Sequence, residues 1–336
     1  GNSKSDINVK NNKKNTEIKI FGKKYKLNLL NYNYFEIENL ACSISCCVAM
    51  GIRVEKIIKS IPKLNNIPGR MQEIGRLNNS SKVFVDYAHT PDALKNILIT
   101  CTKNNTKPNI LFGCGGERDK SKRGLMGKIA NKYANKIYIT DDNPRTENAN
   151  YIRKAIIKNC TNAREISSRR EAIKVAINEI DESEILIIAG KGHEKKQIIN
   201  KKSINFDDAE IALHFLNQKK LREKLYDSVI NYLFIHSGKI KINSNEVKRG
   251  DVFIALQGDK THGNLYINQA IKKEAKFIIT DKNISLSNQN NKILLVDNSI
   301  TFLEKIADLK RTNYKGKVIS VTGSAGKTTV KENIKF

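Results

Sequence analysis

From Val83 to about Gln218, short apolar runs alternate with longer amphipathic ones. KVFVDY, NILFGCGG, KIYIT and EILIIAG have strand length and are apolar almost throughout, the signature of strands buried on both faces. Between and after them PDALKNILITC, GLMGKIANKYAN, NANYIRKAIIKNC, REAIKVAINEI and DDAEIALHFLNQ repeat apolar residues every three or four positions, as helices with one buried stripe do. Pro91 and Asp92 stand where a helix start favours them. This alternation predicts a parallel sheet covered by helices on both faces. In such sheets ligands bind beyond the carboxyl ends of the strands. Those ends here carry GCGGERDK, TDDNPR and AGKGHE.

The flanks read differently. Before residue 69, EIKIFGKKYKLNLL suggests a hairpin and ENLACSISCCVAMG a helix, as if a domain were ending. After the charged stretch Lys219–Lys224, a third region from about Val229 to Thr312 has short strands (DVFIAL, KFIIT, KILLV). Helices are expected between them at YINQAIKKEA and SITFLEKIADLKR. A last expected strand, KVISV, leads into TGSAGKTTVKE. The first methionine is Met50 and the chain stops at Phe336 inside an expected helix, so a piece of something longer is expected.

Composition narrows the partners. A net charge of +26 raises the question of nucleic acid. The lysines are spread among Asn and Ile along the whole chain, and neither a zinc-finger spacing nor an RNA-binding aromatic motif accompanies them. We therefore expect no nucleic-acid partner, and read the excess as an aid to attracting an anionic substrate. Six cysteines without a CxxC pair read as reduced, mostly buried thiols of a cytoplasmic protein. No run approaches the roughly 20 apolar residues of a membrane helix; Leu40–Ile52 is too short and carries Ser43 and Ser45. No membrane insertion is expected.

Four segments carry candidate chemistry. Gly323-Ser324-Ala325-Gly326-Lys327-Thr328-Thr329 lies between an expected strand and helix, where backbone N–H groups and the helix dipole attract phosphate. Lys327 would reach the β- and γ-phosphates of ATP, and Thr328 would offer its hydroxyl to Mg²⁺. Val321 stands where the usual spacing puts the first glycine. Gly113-Cys114-Gly115-Gly116 hints at a dinucleotide turn, but Arg118 holds the third glycine position. A carboxylate grip or a solvated charged loop suits it as well. In Thr140–Arg145, Pro144 fixes a turn that points Asn143 and Arg145 toward the crevice of Arg118. Arginine grips a carboxylate bidentately, while Asp142 and Asn143 can accept from an ammonium group. That set suits a zwitterionic amino acid; a plain Asx-Pro turn is the alternative. In Gly190–Glu194, Glu194 could bind an amine, with His193 nearby.

Together DYAHTPDAL, GCGGERDKSKR, TDDNPR and AGKGHE, in that order, resemble the Mur ligases, ATP-dependent enzymes that build the peptide stem of peptidoglycan. Over residues 1–218 the likeness is to the carboxyl-terminal half of the member that adds meso-2,6-diaminopimelate to a UDP-N-acetylmuramoyl peptide. The resemblance implies that Arg118, Asp142, Asn143, Pro144, Arg145, Gly190 and Glu194 contact the diaminopimelate. It places Arg70, Asp86 and His89 near ATP. KRGDVFIALQG and TGSAGKTTVKE resemble the start of a second member, the one that adds D-alanyl-D-alanine. There Asn243-Ser244-Asn245 replaces the family's Asp-Ser-Arg, and Glu36 stands where an amide is usual before Asn39.

The implied fold is α/β, with a Rossmann-like, mostly parallel sheet. The implied domains are a central-domain remnant (1–68), the amino-acid-binding domain (69–220), a linker (221–228), an N-terminal-type Mur domain (229–314) and the start of its ATP-binding domain (315–336). The implied chemistry is phosphorylation of a peptide carboxylate by ATP, with Mg²⁺, to an acyl phosphate that the incoming amine attacks. No ATP loop and no catalytic lysine segment precede Tyr87, so the 336 residues alone are expected to bind amino acid without turning over. A nicotinamide-dependent oxidoreductase built on GCGG and a basic nucleic-acid-binding protein are the competing readings.

Overall fold

A computed structural model describes residues 6–12, 15–27, 34–64, 67–102, 105–236, 239–259, 261–282, 292–322 and 327–329. It divides into two compact units, residues 1–217 and 218–336.

The first unit opens with an antiparallel meander, β1 (Ile7–Asn12), β2 (Asn15–Ile20) and β3 (Lys23–Leu27). Ile18 and Ile20 face inward while Lys19 between them is exposed, the period-two signature of a sheet with one wet face. Helices α1 (Tyr34–Ala49) and α2 (Val54–Ser60) follow, and Leu40, Ile44 and Ile57 close a small core with those isoleucines.

The elements of the main sheet then run β4 (Gln72–Arg76), β5 (Lys82–Asp86), α3 (Pro91–Cys101), β6 (Asn109–Phe112), α4 (Ser121–Tyr133) and β7 (Ile137–Ile139). After them come α5 (Ala149–Ile157), β8 (Ala163–Glu165), α6 (Arg169–Asn178) and β9 (Ile185–Ala189). The order across the sheet is β4-β5-β9-β6-β7-β8, parallel except for β4. Alternate side chains of the inner strands enter different cores. Ile110, Phe112, Ile139 and Ile187 meet α3, α4 and α5 on one face, while Leu111, Tyr138, Leu186 and Ile188 meet α6 on the other. Burial on both faces is why these strands show no polar alternation. A hairpin, β10 (Lys196–Ile199) and β11 (Lys202–Asn205), precedes α7 (Asp208–Ile235).

In the second unit β12 (Ile240–Lys241), β13 (Val252–Ile254), α8 (Ile267–Lys272), β14 (Phe277–Thr280), β15 (Ile293–Leu295) and α9 (Ser299–Asn313) form a four-stranded parallel sheet with its helices. Val252, Ile254 and Ile279 pack with Val229, Phe302 and Ile306; Phe253 and Ile278 pack with Ile267 and Ala270 on the opposite face.

Three expectations need correction. Residues 221–228, expected as a linker, are helical and lie within α7; the span 208–235 holds no glycine or proline, and its Leu, Lys, Arg and Glu are strong helix formers. KVISV forms no strand. Val318 and Ile319 are 53% and 69% exposed, with no ladder among the described residues to take their backbone groups. Cys42 and Cys46 are exposed on α1, whereas Cys101 and Cys114 are buried as expected of small hydrophobes. No helix of the described residues is long and apolar enough to cross a membrane.

Candidate functional site

The order β5-β9-β6 places the last strand of the main sheet between the first two of its parallel set, so the tips of β5, β9, β6 and β7 are neighbours. The tips of β6, β7 and β9 each carry one of the three charged segments. Gly116 donates its N–H to Asn143 O at 2.9 Å, joining the β6 and β7 loops. A Cβ at Gly116 would stand 2.0 Å from Pro144 O, and one at Gly115 would stand 3.0 Å from Arg145 Nη1 and 3.6 Å from Arg118 Cγ. Arg118 and Arg145 therefore flank the same glycine pair, as the segments suggested. Arg118 is exposed and Arg145 half-buried.

Arg145 is held by its surroundings. Its Nη1 donates to Gly116 O at 2.8 Å, its backbone N–H to Ile198 O at 3.0 Å, and its carbonyl accepts from Asn200 N–H at 2.8 Å. The β10–β11 hairpin thus fixes a backbone at φ +53°, a left-handed conformation that costs a bulky residue energy. A second tie runs below: Arg123 grips Glu147 through Nη1 and Nη2 at 2.7 and 2.8 Å. That guanidinium lowers the Glu147 carboxyl from 4.5 to about 2. A depressed folded value means that stability is present above the unfolded value and is lost as pH falls through the folded one. The tie should therefore persist through mild acid and fail as pH falls from 4.5 toward 2. Glu147→Gln should flatten the stability–pH curve of the first unit over that window, measured by urea titrations at stepped pH.

The third tip supplies Glu194, whose Oε2 accepts from Asn143 Nδ2 at 3.0 Å. Gly190, at φ +112°, occupies backbone space that side chains rarely adopt and turns the chain beside Asp142. Asp142, Asn143 and Pro144 are buried. The acceptor oxygen of Asn143 takes Lys191 Nζ at 3.1 Å and Ile198 N–H at 3.0 Å, and Lys191 Nζ lies 3.6 Å from Asp142 Oδ1. Burial raises the Asp142 carboxyl, with the Arg169 and Lys191 cations opposing. The Asn143 oxygen that the sequence offered to a ligand ammonium is thus taken by the chain's own Lys191, and Asp142 is buried at ion-pair distance from the same cation. At the same tips Arg118 is exposed, and Arg145 and Glu194 are half-buried with Glu194 Oε1 unpartnered among the described residues.

Sequence reasoning missed Lys191, Arg169, Asp208 and Gln197. Arg169 is buried in a bidentate pair with Asp208 at 2.8 and 2.7 Å and donates to Ala189 O at 2.9 Å. Gln197 Nε2 donates to Asp142 O at 2.7 Å. No spacing marks such partners, because they meet only across the sheet. The dinucleotide reading of GCGG fails: helix α4 begins at Ser121, five residues beyond Gly116, and Pro144 O lies against the glycine that would face a pyrophosphate.

Arg70, Asp86 and His89 gather at the tip of β5. Asp86 accepts from the N–H groups of Met71 at 2.7 Å and Ala88 at 2.8 Å, which oppose the rise that burial imposes on its carboxyl. The Arg70 guanidinium lies 4.6 Å from the Tyr87 ring centre, within cation–π range. The His89 ring meets Tyr87 edge-on at 4.6 Å. Arg70 and Asp86, with Glu36 and Asn39 of α1, line a cavity of about 300 Å³; His89 lies outside that lining. Gly323, Ser324, Ala325 and Gly326 fall outside the described residues, while Lys327, Thr328 and Thr329 form an exposed helical turn.

Comparison with known proteins finds one family match within each unit. Residues 69–192 match the family model of the Mur ligase glutamate ligase domain, and residues 236–311 match that of the Mur ligase catalytic domain. The chain belongs to the Mur ligase family. Among its relatives, UDP-N-acetylmuramoyl-L-alanyl-D-glutamate–2,6-diaminopimelate ligase of Rickettsia typhi is 45% identical over 199 residues, 57% of this chain and 39% of that protein. The enzyme of the same name from Mesorhizobium japonicum is 39% identical over 195 residues, 58% of this chain and 40% of its own. This Mur ligase chain thus spans about two fifths of the length of the curated relatives it matches. A solved structure of an enzyme of that name is 31% identical, with 65% of this chain and 46% of that one covered at a TM-score of 0.45.

Proposed function

We propose that the crevice at the tips of β6, β7 and β9 binds meso-2,6-diaminopimelate, as the amino-acid site of an ATP-dependent amide-bond ligase of peptidoglycan precursor synthesis. The observation that carries this is the joining of Arg118, Arg145 and Glu194 through one glycine pair and one asparagine. Two guanidinium groups suit carboxylates, and one acid suits an ammonium group. Relatives named for the diaminopimelate reaction match 57% and 58% of this chain, which supports the reading.

In the full reaction a carboxylate of the UDP-N-acetylmuramoyl peptide would be phosphorylated by ATP with release of ADP, and the bound amine would attack the acyl phosphate, expelling phosphate as the amide forms. The contribution of this chain's crevice is to hold that amine in place, which converts a bimolecular encounter into an oriented one. Arg70, Asp86 and Asn39 would receive ATP at the edge of the 300 Å³ cavity. The second unit would be the opening domain of a second Mur ligase, with residues 315–336 beginning its ATP-binding domain. Gly323–Thr329 would cradle the phosphates there, and Thr328 would meet Mg²⁺; the helical turn at Lys327–Thr329 supports that placement.

The test is thermal denaturation of the whole chain with meso-diaminopimelate, L-lysine or NAD(H). Only a ligand of the folded state raises the melting temperature, by the equivalent of about 2.7 kcal/mol at a hundredfold excess over Kd. Meso-diaminopimelate should do so and L-lysine, with one carboxylate fewer, should not. Arg145→Lys should weaken the effect about tenfold in Kd, since a lysine cannot make the planar two-point contact. A rise with NAD(H) and none with the amino acid would reverse the assignment.

A further inference from the structure

The floor of the crevice holds a set of charges that no motif announces. Arg169 and Lys191 are essentially inaccessible, Asp208 and Asp142 are buried, and Glu194 is half-exposed above them. Two cations thus face three carboxylates. Arg169 is paired with Asp208, and Lys191 stands 3.6 Å from Asp142 and 3.4 Å from Glu194. With all three carboxylates ionised the set is one positive charge short, and the carboxylate at its exposed end is Glu194.

Lys191 is costly to bury, and a methionine would fill the same space without a charge to desolvate. Its three donors are fully used: Lys196 O at 2.6 Å, Asn143 Oδ1 at 3.1 Å and Glu194 Oε2 at 3.4 Å. Two of these acceptors belong to the candidate site. Glu194 Oε2 is shared between Lys191 and Asn143 Nδ2, while Glu194 Oε1 has no hydrogen-bond partner among the described residues.

We infer that Lys191 is a positioning residue for the amino-acid site: by fixing Glu194 Oε2 and Asn143 together, it presents Glu194 Oε1 as the acceptor for a single ligand ammonium. This rests on reading the crevice as an amino-acid site. The ammonium supplies the missing positive charge. Lys191 supplies the geometry, because without it Glu194 keeps its charge but loses one of its two orienting contacts, and Asn143, which makes the other, loses the cation that holds its own oxygen.

A double-mutant cycle tests this, with Kd for meso-diaminopimelate from calorimetry on the full chain and the melting temperature without ligand for each variant. Lys191→Met should raise Kd roughly tenfold or more, the scale of a lost charge-assisted hydrogen bond. In a Glu194→Gln background the same change should raise it by less than about threefold, since the orientation it lost no longer matters. A merely structural lysine would lower the melting temperature equally in both backgrounds and would leave the two Kd penalties multiplicative; that outcome overturns the inference. So does a Lys191→Met chain that binds within about threefold of the parent. Should Lys191→Met fail to fold, Lys191→Gln keeps a donor toward Lys196 O and Asn143 and carries the same expectation. If the parent chain itself binds no diaminopimelate, the amino-acid reading falls first, and that result is distinct from a parent that binds and a cycle that shows no coupling.

Discussion

Replacing Gly116 with alanine is expected to abolish the rise in melting temperature produced by meso-diaminopimelate. The added methyl group would stand 2.0 Å from Pro144 O and 2.8 Å from its carbonyl carbon. Both atoms are backbone, so no side chain can swing away and the two loops must part. Separation breaks the Gly116 N–H bond to Asn143 O and the Arg145 bond to Gly116 O, the links that set Arg145 beside Arg118. Overpacking of this kind costs about 1–3 kcal/mol. The fold should survive while the site does not. Gly124→Ala is the matched control: its methyl meets only Asn159 Nδ2, at 3.1 Å, and it lies in helix α4, where alanine is favoured by up to about 1 kcal/mol. Ligand stabilisation retained by Gly116→Ala would show that the glycine contact does not organise the crevice.

Asp208→Asn should be the most destabilising change of a single charge in the first unit. It leaves the Arg169 guanidinium, whose side chain is 0% exposed, without its counter-charge. Breaking a buried pair from one side typically costs about 3–5 kcal/mol. A urea titration followed by far-ultraviolet circular dichroism should show the first unit melting well before its parent. The double change Arg169→Met with Asp208→Leu should recover most of the loss, because it removes the stranded charge along with its partner. Equal stability of Asp208→Asn and the parent would mean that the pair carries little of the fold.

Much of this architecture is legible in the chain because burial writes itself into composition. Runs such as ILIIA, at strand length and between amphipathic helices, read as strands sealed on both faces, and Pro91 and Asp92 announce a helix start that the structure confirms and caps with Thr90 Oγ1, which accepts from Ala93 N–H. The antiparallel strand β4 and the hairpin β10–β11 escape notice. Their residues, QEIGR, KQII and KSIN, are polar and half-exposed, and only pairing with neighbours makes them strands. The site divides the same way. Arg118, Arg145 and Glu194 could be found because each lies at the tip of a readable strand. Lys191 and Arg169 could not, because what distinguishes them is depth, and sequence does not record depth for a charged residue. KVISV shows the converse: an apolar run is a strand only where a ladder waits for it.

The position of β9 sets a condition on how this chain can be made. The slot between β5 and β6 is filled only by residues 185–189, so a ribosome must complete about a hundred residues after β5 before that strand's inner edge finds its partner. Until then the apolar edges of β5 and β6 wait unpaired, a state that favours capture by chaperones or by another nascent chain. Any product truncated ahead of Ile185 would lack the centre of its sheet, and with it the contacts of Lys191 and Glu194 with Asn143.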